Sequence, residues 1–337
     1  MSVARELDVE EVLDRVGAGL QNSGIQATVA KIERIPAGLS SLTYRLELKD
    51  GALPLVLKAA TPGLVPTKNR DIIRQARIIS YLNGIQGVPT PTVIFTDSGE
   101  PPETPPIFAM SYIAGESCEP LDDENPSSAT ELELYSRYLQ AARTLGRLHS
   151  VSITDAVFES EPTEDGGGEL RKWGRAFRSV PEDLQGDFER CERLLSSNIP
   201  EPQPAALIHG DYRLGNMICR GGDVAAIIDW EIWGLGDPRC DLAWLLHMSD
   251  PHVETAQQGR PFPPARQQLI DEYVASRGRD VSDLAWFDAL ALFKRAAATA
   301  LIVKHSRRSA TPDPRKLAAA RVIAPLLDLA VSTLQEG

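Results

Sequence analysis

Val9, Val12, Leu13, Val16 and Leu20 recur at three- and four-residue spacing, and this apolar stripe predicts an amphipathic helix over residues 9–20. Short β-branched and aromatic runs follow at 28–35, 44–48 and 55–58, the lengths and compositions of strands. Between the first two lies the turn-rich Pro36-Ala37-Gly38-Leu39-Ser40-Ser41-Leu42, and Asp50-Gly51 marks a hairpin turn. Helical spacing returns with Ile72, Ile73, Ala76, Ile79 and Leu82, so 68–83 is expected to be a helix that stops at Gly84. Two further strand-like runs, Val93-Ile94-Phe95 and 107–113, flank a proline-rich link. Strands with an embedded helix make a small α+β lobe.

After Gly115 the pattern becomes helical, with apolar stripes over 132–149, 188–195, 269–275, 284–305 and 316–334. Residues 155–168, rich in Glu and closed by three glycines, read as a loop. No repeat of fixed period occurs. The chain is thus expected to divide into an N-terminal lobe at 1–110, a link at 111–115 and a mainly helical lobe at 116–337.

Composition narrows the function. With 337 residues, 42% of them hydrophobic, the chain can bury a core without disulfide or metal staples. Lys and Arg total 35 against 47 Asp and Glu, a net charge of −12, which argues against nucleic acid as a partner and leaves small molecules, cationic ones included. No run approaches the ~18 uninterrupted apolar residues of a membrane span. Nor does the start, Met1 to Asp8, carry a signal-peptide core. Cys118, Cys191, Cys219 and Cys240 form no C-x-x-C pair. The expectation is a cytoplasmic protein without a membrane partner.

The informative stretch is His209-Gly210-Asp211-Tyr212-Arg213-Leu214-Gly215-Asn216, followed by Ile228-Asp229-Trp230-Glu231. Residues 217–220 and 224–228 are strand candidates joined by Gly221-Gly222-Asp223, a hairpin in which Asn216 lies opposite Ile227 or Ile228 and so close to Asp229. Asp211 sits on the entering loop. An amide oxygen and a carboxylate suit Mg²⁺, which takes its remaining ligands from water and nucleotide phosphates. Asp211 would be left to orient a hydroxyl and accept its proton, the set of parts phosphoryl transfer needs. A chance match to His-Gly-Asp-x-x-x-x-Asn in such a chain is about two in a thousand. The alternative is a loop whose Asp and Asn merely cap a turn. Lys58 shares a strand face with Val56, opposite Leu55 and Leu57. It either meets an anion such as a nucleotide phosphate or guards a sheet edge.

These motifs, with Val56-Leu57-Lys58, 110–115, Leu145-Gly146-Arg147-Leu148-His149 and Gly236-Asp237-Pro238 before Asp241-Leu242-Ala243, resemble the aminoglycoside phosphotransferase and choline kinase-like family from about Ile32 to Ala300. The resemblance implies a bilobal, protein-kinase-like α+β fold with a small antiparallel-sheet lobe and a larger, mainly helical lobe. It implies an ATP- and Mg²⁺-dependent transferase acting on a hydroxyl of a small molecule, with aminoglycoside-like cations among the candidates. By the same resemblance Asp211 is the base, Asn216 and Asp229 hold Mg²⁺, and Lys58 binds phosphate. The backbone of Ser111 and Ile113 holds the adenine edge, while Ser40 and Ser41 lie in the loop over the phosphates. Asp241 braces the catalytic loop and His209 anchors it. The family's usual glutamate partner for the lysine is replaced by Gln75, and the phosphate loop holds one glycine, Gly38. Those two departures keep a second reading open, a nucleotide-binding module of this fold with impaired transfer.

Other signals carry less. The chain has no G-x-S-x-G, P-loop or Rossmann fingerprint. The acids at 122–124, 159, 161, 164 and 165 either attract a cationic substrate or form a solvated surface. Trp173, Phe177 and Trp286 line an acceptor pocket or belong to the core.

Overall fold

Asp8 accepts the amide hydrogens of Glu10 and Glu11, which starts α1 (Val9–Asn22) and turns Val12, Val16 and Leu20 inward. The structure, a computed structural model, describes residues 7–35, 41–49, 53–117, 119–120, 127–250 and 264–336. Helix α1 packs against an antiparallel sheet of β1 (Val29–Ile35), β2 (Ser41–Leu48), β3 (Leu55–Ala60), β4 (Val93–Asp97) and β5 (Ile107–Ser111), ordered β1-β2-β3-β5-β4. Leu55, Leu57 and Ala59 join the α1 stripe in one core, so alternation sends Lys58 to the other face. There α2 (Ile72–Leu82) lies on β3, β4 and β5. The helix expected over 68–83 is split. A 3-10 turn covers Lys68–Arg70, and the Asp71 carboxylate then accepts the Arg74 amide and starts α2 afresh.

The remaining elements are α3 (Glu131–Leu148), β6 (Thr163–Glu164), α4 (Gly166–Arg178), α5 (Phe188–Ser197), β7 (Ala206–Ile208), β8 (Met217–Arg220) and β9 (Asp223–Ile227). After them come β10 (Gly234–Gly236), α6 (Arg239–Met248), α7 (Arg266–Arg277), α8 (Leu284–Arg308), α9 (Pro314–Ala318) and α10 (Ile323–Glu336). The chain divides into two compact units, residues 1–117 with 216–233, and residues 118–215 with 234–337. Linear reading of the pattern does not show that 216–233 groups with the N-terminal residues. Several contacts tie it there: the Ile227 amide donates to the Pro89 carbonyl, Arg74 donates to the Trp233 carbonyl, and Gly115, at φ 151°, lies so close to β8 that a Cβ there would meet the Cys219 carbonyl oxygen at 2.5 Å. Glu116 and Cys219 then bridge as an isolated β-pair.

In the second unit β6, β10 and β7 form a small sheet, and α4, α5, α6, α8 and α10 share one apolar core. The glycines expected to close a loop instead open α4. Asp165 caps it through the Gly168 amide at 2.6 Å, and a Cβ at Gly166 would meet the Trp286 ring at 2.8 Å. Capping and close packing outweigh the poor helix propensity of glycine. Phe177 and Trp286 are core residues. The stretch Pro314–Glu336 is long and apolar enough to cross a membrane by length and composition. A 3-10 turn at Ala319–Val322 interrupts it, and α10 buries Ile323, Leu326, Leu327, Ala330 and Val331 in the core.

Two glycines in α1 should respond with opposite signs. A Cβ at Gly19 would lie 2.6 Å from the Phe95 ring, whereas at Gly17 it would meet nothing within 4 Å. Gly19→Ala is expected to destabilise by about 1–3 kcal/mol, and Gly17→Ala to stabilise by up to ~1 kcal/mol, in urea unfolding. Equal effects would contradict the packing of α1 on β4.

His247, buried in α6, is pushed down from 6.5 to about 3 by burial, then by the charges of Arg295 and Lys294. The unfolded chain takes up this proton near pH 6.5 while the folded chain does not, so stability is full above that pH and falls on acidification toward 3. The maximal slope is about 1.4 kcal/mol per pH unit. His247→Leu should therefore lose roughly 2 kcal/mol less stability than the parent between about pH 6.5 and pH 4.5. Parallel pH–stability curves would refute the buried neutral imidazole.

Candidate active site

In the first unit the site begins with a cation placed by strand pairing. Lys58 faces Thr43 on β2 and Phe108 on β5, and it is 9% exposed. Its Nζ donates to Gln75 Oε1 at 3.2 Å and to Asp229 Oδ1 at 3.2 Å. A buried ammonium needs such partners, because desolvation disfavours the charged form. Gln75 has a second task that glutamate could not perform: its Nε2 donates to the Asn69 carbonyl at 3.2 Å. The amide is thus oriented at both ends, and Asp229 supplies the charge that Gln75 lacks.

Asp229 follows directly on the β8–β9 hairpin. Gly221 and Gly222 form the two-residue turn, Met217 pairs with Ile227, and the Ile228 amide donates to the Asn216 carbonyl at 2.9 Å. Asn216 therefore lies at the same end of the ribbon as Asp229, as the spacing predicts. Asp229 holds φ 63° and ψ 56°, a left-handed conformation that costs about 1–2 kcal/mol outside glycine. Such strained residues cluster at functional sites. Asn216 and Asp229 offer two hard oxygens, the donor chemistry of a Mg²⁺ site completed by phosphate and water. Ser41 is buried at the start of β2, opposite Ala60. Ser111 ends β5, where its amide donates to the Thr92 carbonyl at 2.8 Å and its Oγ accepts the Thr92 amide at 2.9 Å. Ile113 follows two residues later, half-buried. Ser40, and with it the expected phosphate loop from 36 to 40, lies outside the described residues, as do Cys118 and the acids at 122–124.

The second unit carries Asp211 on the loop after β7. Asp241, in the first turn of α6 and 1% exposed, accepts the His209 amide at 2.6 Å and the Gly210 amide at 2.9 Å, one on each carboxylate oxygen. Burial alone would push this carboxyl up, but the neighbouring His149, His209 and Lys294 bring it below the usual carboxylate range. His149 itself is driven down by burial, and its Nδ1 lies 2.8 Å from the Tyr273 hydroxyl. Gly210 turns at φ 85°, and His209 Nδ1 accepts the Asp211 amide at 3.2 Å. His209 is therefore an anchor of the loop, fully buried.

Four residues beside Asp211 escape sequence reasoning. Trp244 Nε1 donates to Asp211 Oδ1 at 2.7 Å, and Arg213 Nε lies 3.3 Å from both carboxylate oxygens. Burial would lower Arg213, but Asp211 and then Glu119 hold it above its ordinary value. Glu119, 3% exposed, also accepts the Gly215 amide at 3.0 Å. Lys294 on α8 donates to the Gly210 carbonyl. Arg213 stands inside the His209–Asn216 motif and Trp244 directly after Asp241-Leu242-Ala243, whereas nothing in the sequence marks Glu119 or Lys294.

Residues 31–279 match the model of the phosphotransferase enzyme family, APH. Acyl-CoA dehydrogenase family member 11 of Homo sapiens is 27% identical over 281 residues, covering 79% of this chain but 35% of that protein. The chain thus spans about a third of that relative's length. Viomycin phosphotransferase of Streptomyces vinaceus is 28% identical over 177 residues, 50% of this chain and 60% of that one. Among solved structures, a candidate aminoglycoside phosphotransferase of Ralstonia eutropha superposes with a TM-score of 0.77 at 19% identity, covering 96% of this chain and 98% of that one. A spectinomycin phosphotransferase, in complex with ADP and spectinomycin, gives 0.63 at 14% identity over 98% and 100% of the two chains. These structural likenesses show a shared fold, the expected antiparallel sheet followed by helices. On the extent of the family match, the chain belongs to the APH phosphotransferase enzyme family.

Proposed function

We propose that this protein transfers the γ-phosphoryl group of ATP to a hydroxyl of a small molecule. The observation that carries the reading is the Lys58–Asp229 pair at 3.2 Å, held at the end of the hairpin that starts from Asn216. A buried lysine, an amide and a strained carboxylate serve little structural purpose together, whereas nucleotide phosphates with a divalent ion account for all three.

In this reading residues 1–110 bind the nucleotide, 111–115 form the hinge, and 116–337 carry the catalytic loop and acceptor pocket. Lys58 binds phosphate oxygens, and Gln75 keeps its ammonium aimed by bonding it on one side and Asn69 on the other. Ser40 and Ser41 cover the phosphates. The Ser111 amide is already bonded to Thr92, so its carbonyl and the Ile113 amide meet the adenine edge. Asn216 and Asp229 hold Mg²⁺, which when bound neutralises charge on the phosphates. Asp211 orients the acceptor hydroxyl and takes its proton as the oxygen bonds to the γ-phosphorus. The bond from that phosphorus to the bridging oxygen breaks, and ADP leaves with the electron pair. The reaction belongs where ATP is plentiful, in the cytoplasm.

The test is ADP release over a panel of hydroxylated antibiotics, amino alcohols, sugars and hydroxy acids. Asp211→Ala is expected to lower turnover roughly 10²–10⁴-fold while leaving nucleotide binding intact, and Asp229→Ala to abolish turnover. Wild-type turnover by Asp211→Ala would defeat the assignment. A thermal shift with ATP and Mg²⁺ but no ADP release from any acceptor would favour the impaired module, the reading that Gln75 and the glycine-poor loop leave open.

A further inference from the structure

Lys294 is the side chain hardest to explain by folding alone. It projects from α8, a helix otherwise buried through Phe293, Ala296, Ala297 and Ala300, and it is 7% exposed itself. An unpaired ammonium in such a place is costly, and a methionine would fill the volume. The ammonium makes two contacts that bear on the catalytic loop. It donates to the Gly210 carbonyl at 2.5 Å, the peptide unit directly before Asp211. It also sits 4.2 Å from the centre of the Trp244 ring and 5.7 Å from that of Trp173. Trp244 is the residue whose indole N–H holds Asp211 Oδ1 at 2.7 Å.

We propose that Lys294 is a positioning residue for the transfer reaction: through the Gly210 carbonyl and the Trp244 ring it sets the direction in which the Asp211 carboxylate points. The inference rests on the reading of Asp211 as the base. Physically, the ammonium fixes two supports of one side chain. The carbonyl bond sets the peptide plane from which Asp211 departs, complementing the grip of Asp241 on the amides of His209 and Gly210. The cation–π contact restrains the indole, so its N–H stays aimed at Oδ1. Asp241 and Glu169 both feel the Lys294 charge, but their hydrogen bonds go to other groups. Asp241 holds the loop amides, Glu169 bonds Lys172 and the Trp173 N–H, and His247 is buried and neutral. Arg213 Nε also lies 3.3 Å from both Asp211 oxygens, and its guanidinium meets Glu119 as well.

The indole proton of Trp244 reports this arrangement without any acceptor substrate. In ¹⁵N-labelled full-length protein at neutral pH, its resonance, assigned with Trp244→Phe, is expected far downfield and slow to exchange with solvent. Asp211→Ala should return it to the position of an unbonded indole. Lys294→Gln keeps a donor for the Gly210 carbonyl but removes the cation. It should move the resonance toward that same unbonded position and lower turnover at least about tenfold with the KM for ATP unchanged. Lys294→Arg should restore both. A Lys294→Gln protein whose Trp244 resonance stays at the wild-type position, at whatever melting temperature, overturns the proposal. If Lys294→Gln does not fold, Lys294→Arg with a displaced resonance and wild-type turnover does the same. Failure of the base assignment is distinct, since it shows as turnover by Asp211→Ala whatever the indole reports.

Discussion

A single carboxylate with 1% exposure decides where residues 209–211 lie. Asp241 accepts two successive loop amides, one on each oxygen, and it does so from the first turn of α6, where the helix dipole favours negative charge. Charge-assisted bonds of this kind contribute about 1.5–3 kcal/mol each when buried. The arrangement is strict, because a buried carboxylate that lost one amide would keep the full cost of its desolvation. The left-handed turn at Gly210, the bond from the Asp211 amide to His209 and the anchoring of Tyr212 to the Ala141 carbonyl at 2.9 Å all extend from this hold.

The first unit solves a comparable problem with a different division of labour. A strand lysine facing α2 needs both direction and countercharge, and here the two come from separate residues. Gln75, anchored to Asn69, provides direction, and Asp229 provides charge. An amide at position 75 is therefore suited to its surroundings: a carboxylate there would set an oxygen against the Asn69 carbonyl. The departure from the family's usual glutamate is compatible with a well-held lysine.

Much of this arrangement was legible in the residues. Asn216 and Asp229 come together because a two-residue glycine turn closes a short hairpin, and even with the register shift between Ile218 and Cys219 both residues fall at its open end. The side of β3 on which Lys58 falls follows from alternation. The supports of Asp211 were not legible. Trp244 and Lys294 lie 33 and 84 residues from the loop atoms they bond, Lys294 within the apolar stripe at 284–305 that reads as core. Apolar periodicity locates a buried face without revealing that an indole N–H or an ammonium on it points at a loop. The grouping of 216–233 with the first unit was hidden for a related reason, since it rests on long-range contacts, the bonds to Pro89 and Arg74 and the backbone approach at Gly115 among them, rather than on a change in composition. The start of α4 misled because glycine propensity was weighed without the Asp165 cap.

In the proposed function, Lys58, Asn216 and Asp229 form a seat for nucleotide phosphates that depends on a divalent ion. Calorimetric titration of a non-hydrolysable ATP analogue, with Mg²⁺ and then with chelator, tests it most directly. Removing the ion is expected to weaken binding at least about tenfold in the wild type and to make no difference in Asp229→Asn. Equal affinity with and without Mg²⁺ in the wild type would contradict it.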